Sequence, residues 1–383
     1  MREHEEPREV VIVGAGLIGL GIAYELAKEG VRARILDGRA PGSSASWAGA
    51  GMLSPYADAA AEDPYEAACV RSLAAFAPFA ADLEERTGTD IGLRVNGIVE
   101  AAYDEAAAGR LQEKVASFSA RGVAAEWFER AGALELEPAL GLACVGAALV
   151  WHAGQVDNRR LGRALRTGCE VLGVRIDVGI EALALETDGA RACGVRTKNG
   201  TIPASVVVNA AGAWAGAFAG VPPGAAIPVI PVKGQMFALA APAGLISHVV
   251  RVPGAYFVPR ADGRLLVGAT VEDAGFDLRV TAGGLRALLD PALDALPVLR
   301  DATICETWAG LRPGSPDGMP FVGETGLAGY LVAAGHDRNG ILLAPLTARL
   351  VAELVLGRSD EVLALFSPRR ATTRTLPLAS ARA

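Results

Sequence analysis

Apolar residues fall along this chain in two textures. Glu9–Val13 (EVVIV) is an unbroken β-branched run, the pattern of a strand buried on both faces. Leu17–Lys28 (LIGLGIAYELAK) follows with helical spacing and stops at Gly30, and Val31–Leu36 is a second strand ending at Asp37. A helix is predicted over Asp63–Arg86, with Asp63 as its cap, Pro64 in its first turn, Glu66 completing a capping-box pattern, Pro78 as a kink and Gly88 as its end. Asp157–Gly173 reads as another capped helix. Strands follow at Val174–Val178, Ala182–Glu186, Cys193–Arg196 and Ser205–Ala210. Tyr330–Ala333 and an apolar helix over Ile341–Leu356, closed by Gly357, return to the opening texture.

Between these pieces lie longer stretches. Leu93–Tyr103, Val229–Ala240 and Tyr256–Val271 read as antiparallel strands, with Ala261-Asp262-Gly263 as a hairpin turn. The expected architecture is a discontinuous α/β, Rossmann-like dinucleotide-binding domain formed by residues 1–90, 150–220 and 306–366. Residues 91–149 and 221–305 would form an α+β substrate domain with a mainly antiparallel sheet, and 367–383 a loose tail.

Composition narrows the class. The 383 residues are 51% apolar and 21% charged, which excludes a mostly disordered chain. The net charge of −7 argues against a nucleic-acid binder but leaves room for a small anionic substrate, which one arginine in a closed pocket can hold. Five cysteines form no C-x-x-C pair and four histidines no H-x-x-x-H pair, so neither a zinc site nor a disulfide framework is expected, and a reducing cytoplasmic setting fits. The acidic start of the chain lacks the pattern of a signal peptide. Asn199–Val232 is free of charge and long enough to span a bilayer, but six Pro and Asn interruptions favour a buried strand followed by turns, and no membrane span is expected.

The strand–turn–helix opening carries the first chemistry. Gly14, Gly16 and Gly19 stand in G-x-G-x-x-G spacing between strand and helix, and Asp37 lies 18 positions beyond Gly19. Gly14 permits the turn, Gly16 leaves room for a pyrophosphate, and Gly19 lets helix and strand pack. The helix N-terminus supplies donors for phosphate, and Asp37 can accept from both ribose hydroxyls. On these residues alone, NAD and FAD both remain open.

Seven ordered blocks decide between them by resemblance: VVIVGAGLIGLGIAYELA, SWAGAGMLSP, VVVNAAGAW, PVKGQ, YFVPR–DGRLLVGAT, WAGLRPGSPDGMPFVG and AAGHDRNGILLAP. Nearly the whole chain resembles the flavin-dependent D-amino-acid oxidase superfamily, and within it the glycine oxidase group associated with thiazole (thiamine) biosynthesis. The resemblance implies FAD in a fold of the glutathione-reductase type. It places Gly14, Gly16, Leu17, Ile18, Gly19, Asp37 and Gly38 on the cofactor. Ala45, Ser46, Ala50, Gly51 and Met52 would lie along its pyrophosphate and ring, with Leu185 beside it. It sets His336, Asp337, Arg338, Asn339, Gly340, Ile341 and Leu342 at a helix N-terminus facing the ring, so that His336 is a flavin neighbour rather than a base. No cysteine occurs between Trp308 and Phe321, which implies non-covalent flavin.

The same resemblance gives Arg312 and Tyr256 the substrate carboxylate and sets Arg338 at a second pocket position. Taken alone, Arg312 also reads as half of a structural ion pair, and Tyr256 as a core aromatic. Two positions depart from relatives. Gly254-Ala255 replaces bulkier residues, and Val271 stands where a relative has methionine, which leaves the tolerated substrate side chain open. The implied reaction is oxidation of glycine, sarcosine or a small D-amino acid to the imine, with O2 reduced to H2O2. A different amine oxidase or dehydrogenase, a non-catalytic flavoprotein subunit and a tRNA-modifying flavoprotein are the alternatives. A homo-oligomer, dimer or tetramer, is usual in the group.

Overall fold

A computed structural model describes residues 9–39, 44–56 and 63–370; the expected tail beyond 370 lies outside them. A six-stranded sheet runs in the order Phe321–Glu324, Tyr330–Ala334, Val206–Asn209, Val10–Val13, Ala33–Asp37, Arg175–Val178. All its pairs are parallel except the first. Every residue of Val10–Val13 is buried, as its unbroken apolar run requires. On one face, Val10, Ile12, Ile35 and Val208 pack against helices Leu17–Lys28, Pro64–Thr87, Asn158–Val171 and Ala344–Val355. On the other, Val11, Val13, Leu36 and Val207 pack against Leu185 and Val195 of a three-stranded antiparallel sheet.

The caps at Asp63 and Asp157 act as read. Asp63 Oδ1 accepts from the Tyr65 N–H at 2.8 Å, and Asp157 Oδ1 from the N–H groups of Arg159 and Arg160, both at 3.0 Å. Glu66 pairs with Arg121. Among the described residues no helix is long and apolar enough to cross a membrane, and Asn199–Val232 holds strands, turns and 3-10 helices.

The second sheet has eight strands: Ile304–Gly314, Ile230–Ala240, Arg264–Gly268, Ala255–Pro259, Val249–Val252, Ile98–Ala102, Gly146–Val150 and Ala125–Glu129. It is antiparallel except where Val249–Val252 meets Ile98–Ala102. Phe237, Phe257 and Val267 pack on one face against helix Ala282–Ala295, and Met236, Val258 and Trp308 point to the other, against Ala48 and Ala50.

Several elements differ from expectation. Ile304–Gly314 pairs with Ile230–Ala240 in the second sheet, so the boundary expected at residue 306 falls inside a strand. Helices Glu105–Ala120 and Ala282–Ala295 were not foreseen, because runs of alanine in one and Gly283, Gly284 and Pro291 in the other blur the helical period. The strand expected over Leu93–Tyr103 begins only at Ile98, after Gly97 turns the chain at a φ of 103°. The last long helix starts at Ala344, three residues late, behind a 3-10 turn at Asp337–Asn339.

Candidate active site

One cavity of about 1430 Å³ opens between the two sheets. Its first end is the glycine turn. Gly14 has a φ of 107°, and a Cβ there would stand 2.5 Å from the Ala210 carbonyl oxygen. A Cβ on Gly19 would stand 1.9 Å from the Gly14 oxygen, so this glycine serves the contact between helix and turn. Asp37 Oδ2 accepts from the Ala15 N–H at 2.7 Å and Oδ1 from the Arg39 N–H at 2.8 Å, fixing the carboxylate at the cavity edge.

The small-residue stretch Ala45–Met52 forms the next wall, and several side chains hold it. Ser46 Oγ accepts from the Leu17 N–H at 3.0 Å. Asn158 Nδ2 donates to the Ser46 and Trp47 carbonyls at 2.7 and 3.1 Å. Trp308 Nε1 donates to the Ala48 carbonyl at 2.9 Å. Arg260, buried, donates to the Ala50 carbonyl at 2.7 Å, to Gln155 Oε1 at 2.6 Å and to Asn158 Oδ1 at 3.0 Å. Burial lowers the Arg260 pKa to about 10, so it stays cationic at neutral pH.

The far wall is the face of the second sheet that carries Gly234, Met236, Tyr256, Gly268, Gly310 and Arg312. Arg312 forms no ion pair among the described residues. Its Nη1 donates to the main-chain carbonyls of Thr270 at 3.2 Å and Lys233 at 3.5 Å. The guanidinium lies on Gly234, whose Cβ, if present, would stand 2.5–2.8 Å from it. The Tyr256 ring lies on Gly268 in the same way, with its hydroxyl 3.8 Å from Met236 Sδ. Burial pushes the Tyr256 phenol above its usual range against the opposing charge of Arg312, so it is a neutral donor at physiological pH. Glu272 also lines the cavity; burial raises its carboxyl, but hydrogen bonds from Thr270 and Gln235 and the Lys233 charge outweigh that and keep it ionised.

This arrangement is a dinucleotide cradle joined to an anion-binding wall. The profile of the family described as FAD dependent oxidoreductase (DAO) matches residues 9–354. The chain belongs to this family. It is 39% identical over 350 residues to the glycine oxidase of Geobacillus kaustophilus, covering 91% of this chain and 92% of that one. The crystal structure of glycine oxidase from the same organism matches with a TM-score of 0.89 at 38% identity, covering 95% of this chain and 99% of that one. The bifunctional protein ThiO/ThiG of Synechocystis sp. is 37% identical over 96% of this chain, which spans only 55% of that longer protein.

The cavity fits FAD on its own geometry. Its volume exceeds the 300–1,000 Å³ of ordinary small-ligand pockets, as a dinucleotide with a substrate beside it requires. Gly14, Gly16, Ile18, Asp37, Gly38, Ala45, Ser46, Ala50, Gly51, Met52, His336, Asp337, Arg338, Gly340 and Ile341 all line it. Asp337 is held at a φ of 49°, strain of the kind that collects at functional sites. His336 is buried, its Nε2 3.0 Å from Thr347 Oγ1, and burial lowers its pKa to about 3. It is therefore neutral and no proton shuttle near pH 7.

Four expected cofactor residues keep their side chains elsewhere. Leu17 and Leu342 are buried in the helix-side core, with the Leu17 N–H and the Leu342 carbonyl engaged by Ser46 and Ser72. Asn339 donates to the Tyr65 hydroxyl at 2.9 Å. Leu185 is locked in the core behind the sheet, and Leu183, just ahead of the strand Ala184–Thr187, lines the cavity instead. Arg338 is exposed at the rim. Gly234, Arg260 and Asn158 were missed. The buried charge ending the apolar run YFVPR was the available signal for Arg260. Cys305 does not line the cavity, consistent with non-covalent flavin.

Proposed function

We propose that this chain oxidises glycine and other small amines, sarcosine and small D-amino acids among them, with O2 as the acceptor. The observation that carries the reading is Arg312, a guanidinium on the cavity wall that pairs with no carboxylate among the described residues and has the Tyr256 hydroxyl beside it. Such a fork binds a carboxylate through two parallel hydrogen bonds.

Bound FAD supplies the two-electron acceptor. The protein's own part is orientation: Arg312 and Tyr256 fix one end of the substrate so that its Cα–H is presented in one direction. His336, neutral and bonded to Thr347, offers no base, and this chemistry requires none at carbon once the amine is uncharged. Gly254 and Val271 on the cavity wall leave room for an N-methyl or a small side chain. The kinship to a bifunctional ThiO/ThiG protein supports delivery of the imine, or its hydrolysis product, to thiazole formation. Five cysteines free of disulfides support a reducing, cytoplasmic setting, and a homo-oligomer completes the proposal.

Anaerobic mixing of the FAD-loaded protein with glycine tests this directly. Bleaching of the flavin absorbance is the expected result, and a yellow protein that no small amine bleaches would refute it. In Arg312→Ala, the KM for glycine rises at least tenfold; an unchanged KM would remove the role assigned to that arginine.

A further inference from the structure

Arg312 rests on two main-chain carbonyls of different standing. The Lys233 carbonyl belongs to the long strand Ile230–Ala240, which pairs with Ile304–Gly314 from Ile230 to Leu239. The Thr270 carbonyl belongs to a segment that leaves the sheet. Strand Arg264–Gly268 ends two residues before it, and no helix or strand follows until Ala282–Ala295. Three main-chain bonds tie this segment to the long strand. Thr270 N–H donates to the Gln235 carbonyl at 3.2 Å, and Glu272 and Lys233 exchange bonds at 2.9 and 3.0 Å. A side-chain clasp adds to them.

The clasp centres on Gln235. Lys233, Gln235, Phe237 and Leu239 alternate onto the face of the strand turned away from Gly234 and Arg312. Phe237 and Leu239 are core there, so a fully buried glutamine is out of place unless its polar atoms are paired. Its Nε2 donates to Glu272 Oε1 at 2.7 Å and to Thr281 Oγ1 at 3.1 Å, and its Oε1 accepts from the Thr281 N–H at 2.7 Å. The last bond fixes which end of the amide is oxygen. The Gln235 N–H donates to Thr270 Oγ1 at 2.8 Å, and that hydroxyl donates in turn to Glu272 Oε1. Lys233 Nζ stands 3.5 Å from the other carboxylate oxygen. Gly284 makes room for the amide, since a Cβ there would stand 2.2–2.6 Å from its atoms. One buried residue thus grips both ends of the segment 270–281.

We propose that Gln235 is a positioning residue for Arg312. By clasping Glu272 and Thr281 it holds the Thr270 carbonyl in place, and that carbonyl sets the guanidinium. The inference rests on the reading of Arg312 as the carboxylate anchor. A fork that takes a carboxylate through two parallel bonds needs both donors in one plane, so a shifted perch weakens the hold on the anion and spares the rest of the site. The grip on the substrate carboxylate is therefore governed from the opposite face of the strand, by a side chain that does not line the cavity.

The test uses the FAD-loaded enzyme and two pairs of compounds that differ at the carboxylate. Glycine is compared with its ethyl ester by steady-state kinetics. (Methylthio)acetate is compared with (methylthio)acetamide by the shift in flavin absorbance, without turnover. Gln235→Glu keeps the shape but sets an anion where a donor faced Glu272. It raises the KM for glycine and the Kd for (methylthio)acetate about fivefold, the scale of one lost hydrogen bond, with kcat near wild type and the ester and amide unmoved. Thr270→Val cuts the clasp at its other end, keeps the carbonyl, and shifts the same ratios in the same direction. Gln235→Glu combined with Glu272→Gln exchanges amide and carboxylate, so the bonds re-form with donor and acceptor reversed, and the wild-type ratios return. Acetate-to-amide ratios unmoved in both single variants, or equal weakening of acetate and amide, would overturn the inference. So would a double variant that regains the melting temperature but not the ratio. A wild type that no amine bleaches would strike the amine-oxidase reading alone, because the thioether titration still reports on Gln235.

Discussion

At the scale of single residues, the site depends as much on absent side chains as on present ones. Gly234 sits in a regular strand outside the left-handed region, so its backbone would accept alanine; the Arg312 guanidinium at 2.5–2.8 Å from the missing Cβ would not. Gly234→Ala should displace Arg312, raise the KM for glycine at least tenfold, about 1.4 kcal/mol, and leave the melting temperature within a few degrees. Steady-state kinetics beside a thermal scan separates these effects. His336 carries a different consequence. Its folded pKa of about 3 lies below the ordinary 6.5, so the unfolded chain binds the extra proton first as pH falls. Stability from this group is whole above pH 6.5 and declines toward pH 3, by about 2 kcal/mol at pH 5. Thermal melts from pH 7 to 5 should show that slope, and His336→Gln should flatten it.

At the scale of elements, the stretch from Ala45 to Met52 has little regular structure of its own and is shaped by what grips it. Arg260 is the deepest grip. Arg260→Met strands the Gln155 and Asn158 side-chain oxygens and the Ala50 carbonyl, at a cost of about 1–3 kcal/mol for each buried group left unpaired. The expected result is faster loss of FAD on dilution and a lower melting temperature, read by flavin fluorescence and calorimetry. This element also marks the limit of what the sequence discloses. The strand–glycine–helix opening, the caps at Asp63 and Asp157 and the apolar run Val10–Val13 were legible because each is a local rule. The pairing of Ile304–Gly314 with Ile230–Ala240 was not, because register depends on partners distant in the chain. Arg312 and Tyr256 stood out through their surrounding motifs. Gly234 acquires meaning only when strands are laid side by side, and Leu183 replaces Leu185 because position relative to the sheet, not residue type, decides which leucine meets the cavity.

At the scale of the molecule, the cavity is a seam. One wall belongs to the mainly parallel sheet and its glycine turn, the other to the mainly antiparallel sheet, so a ligand that fills the cavity would bridge both. A ligand that binds only the folded protein stabilises it by about 2.7 kcal/mol at one hundred times its Kd. Removal of FAD should therefore lower the melting temperature, and added FAD should restore it in a concentration-dependent way, as differential scanning fluorimetry can record.

The Val10–Val13 strand pairs on one side with Ala33–Asp37 and on the other with Val206–Asn209. The second partner leaves the ribosome almost two hundred residues later. At about 5–20 residues per second, the nascent chain carries an all-apolar strand with one bare edge for roughly 10–40 s. Every molecule made thus passes through a period in which its most buried strand is open to any neighbouring chain. Slowed synthesis at lower temperature lengthens that period even as it weakens the hydrophobic pull toward aggregation, so the yield of soluble protein is set by a race between elongation and capture.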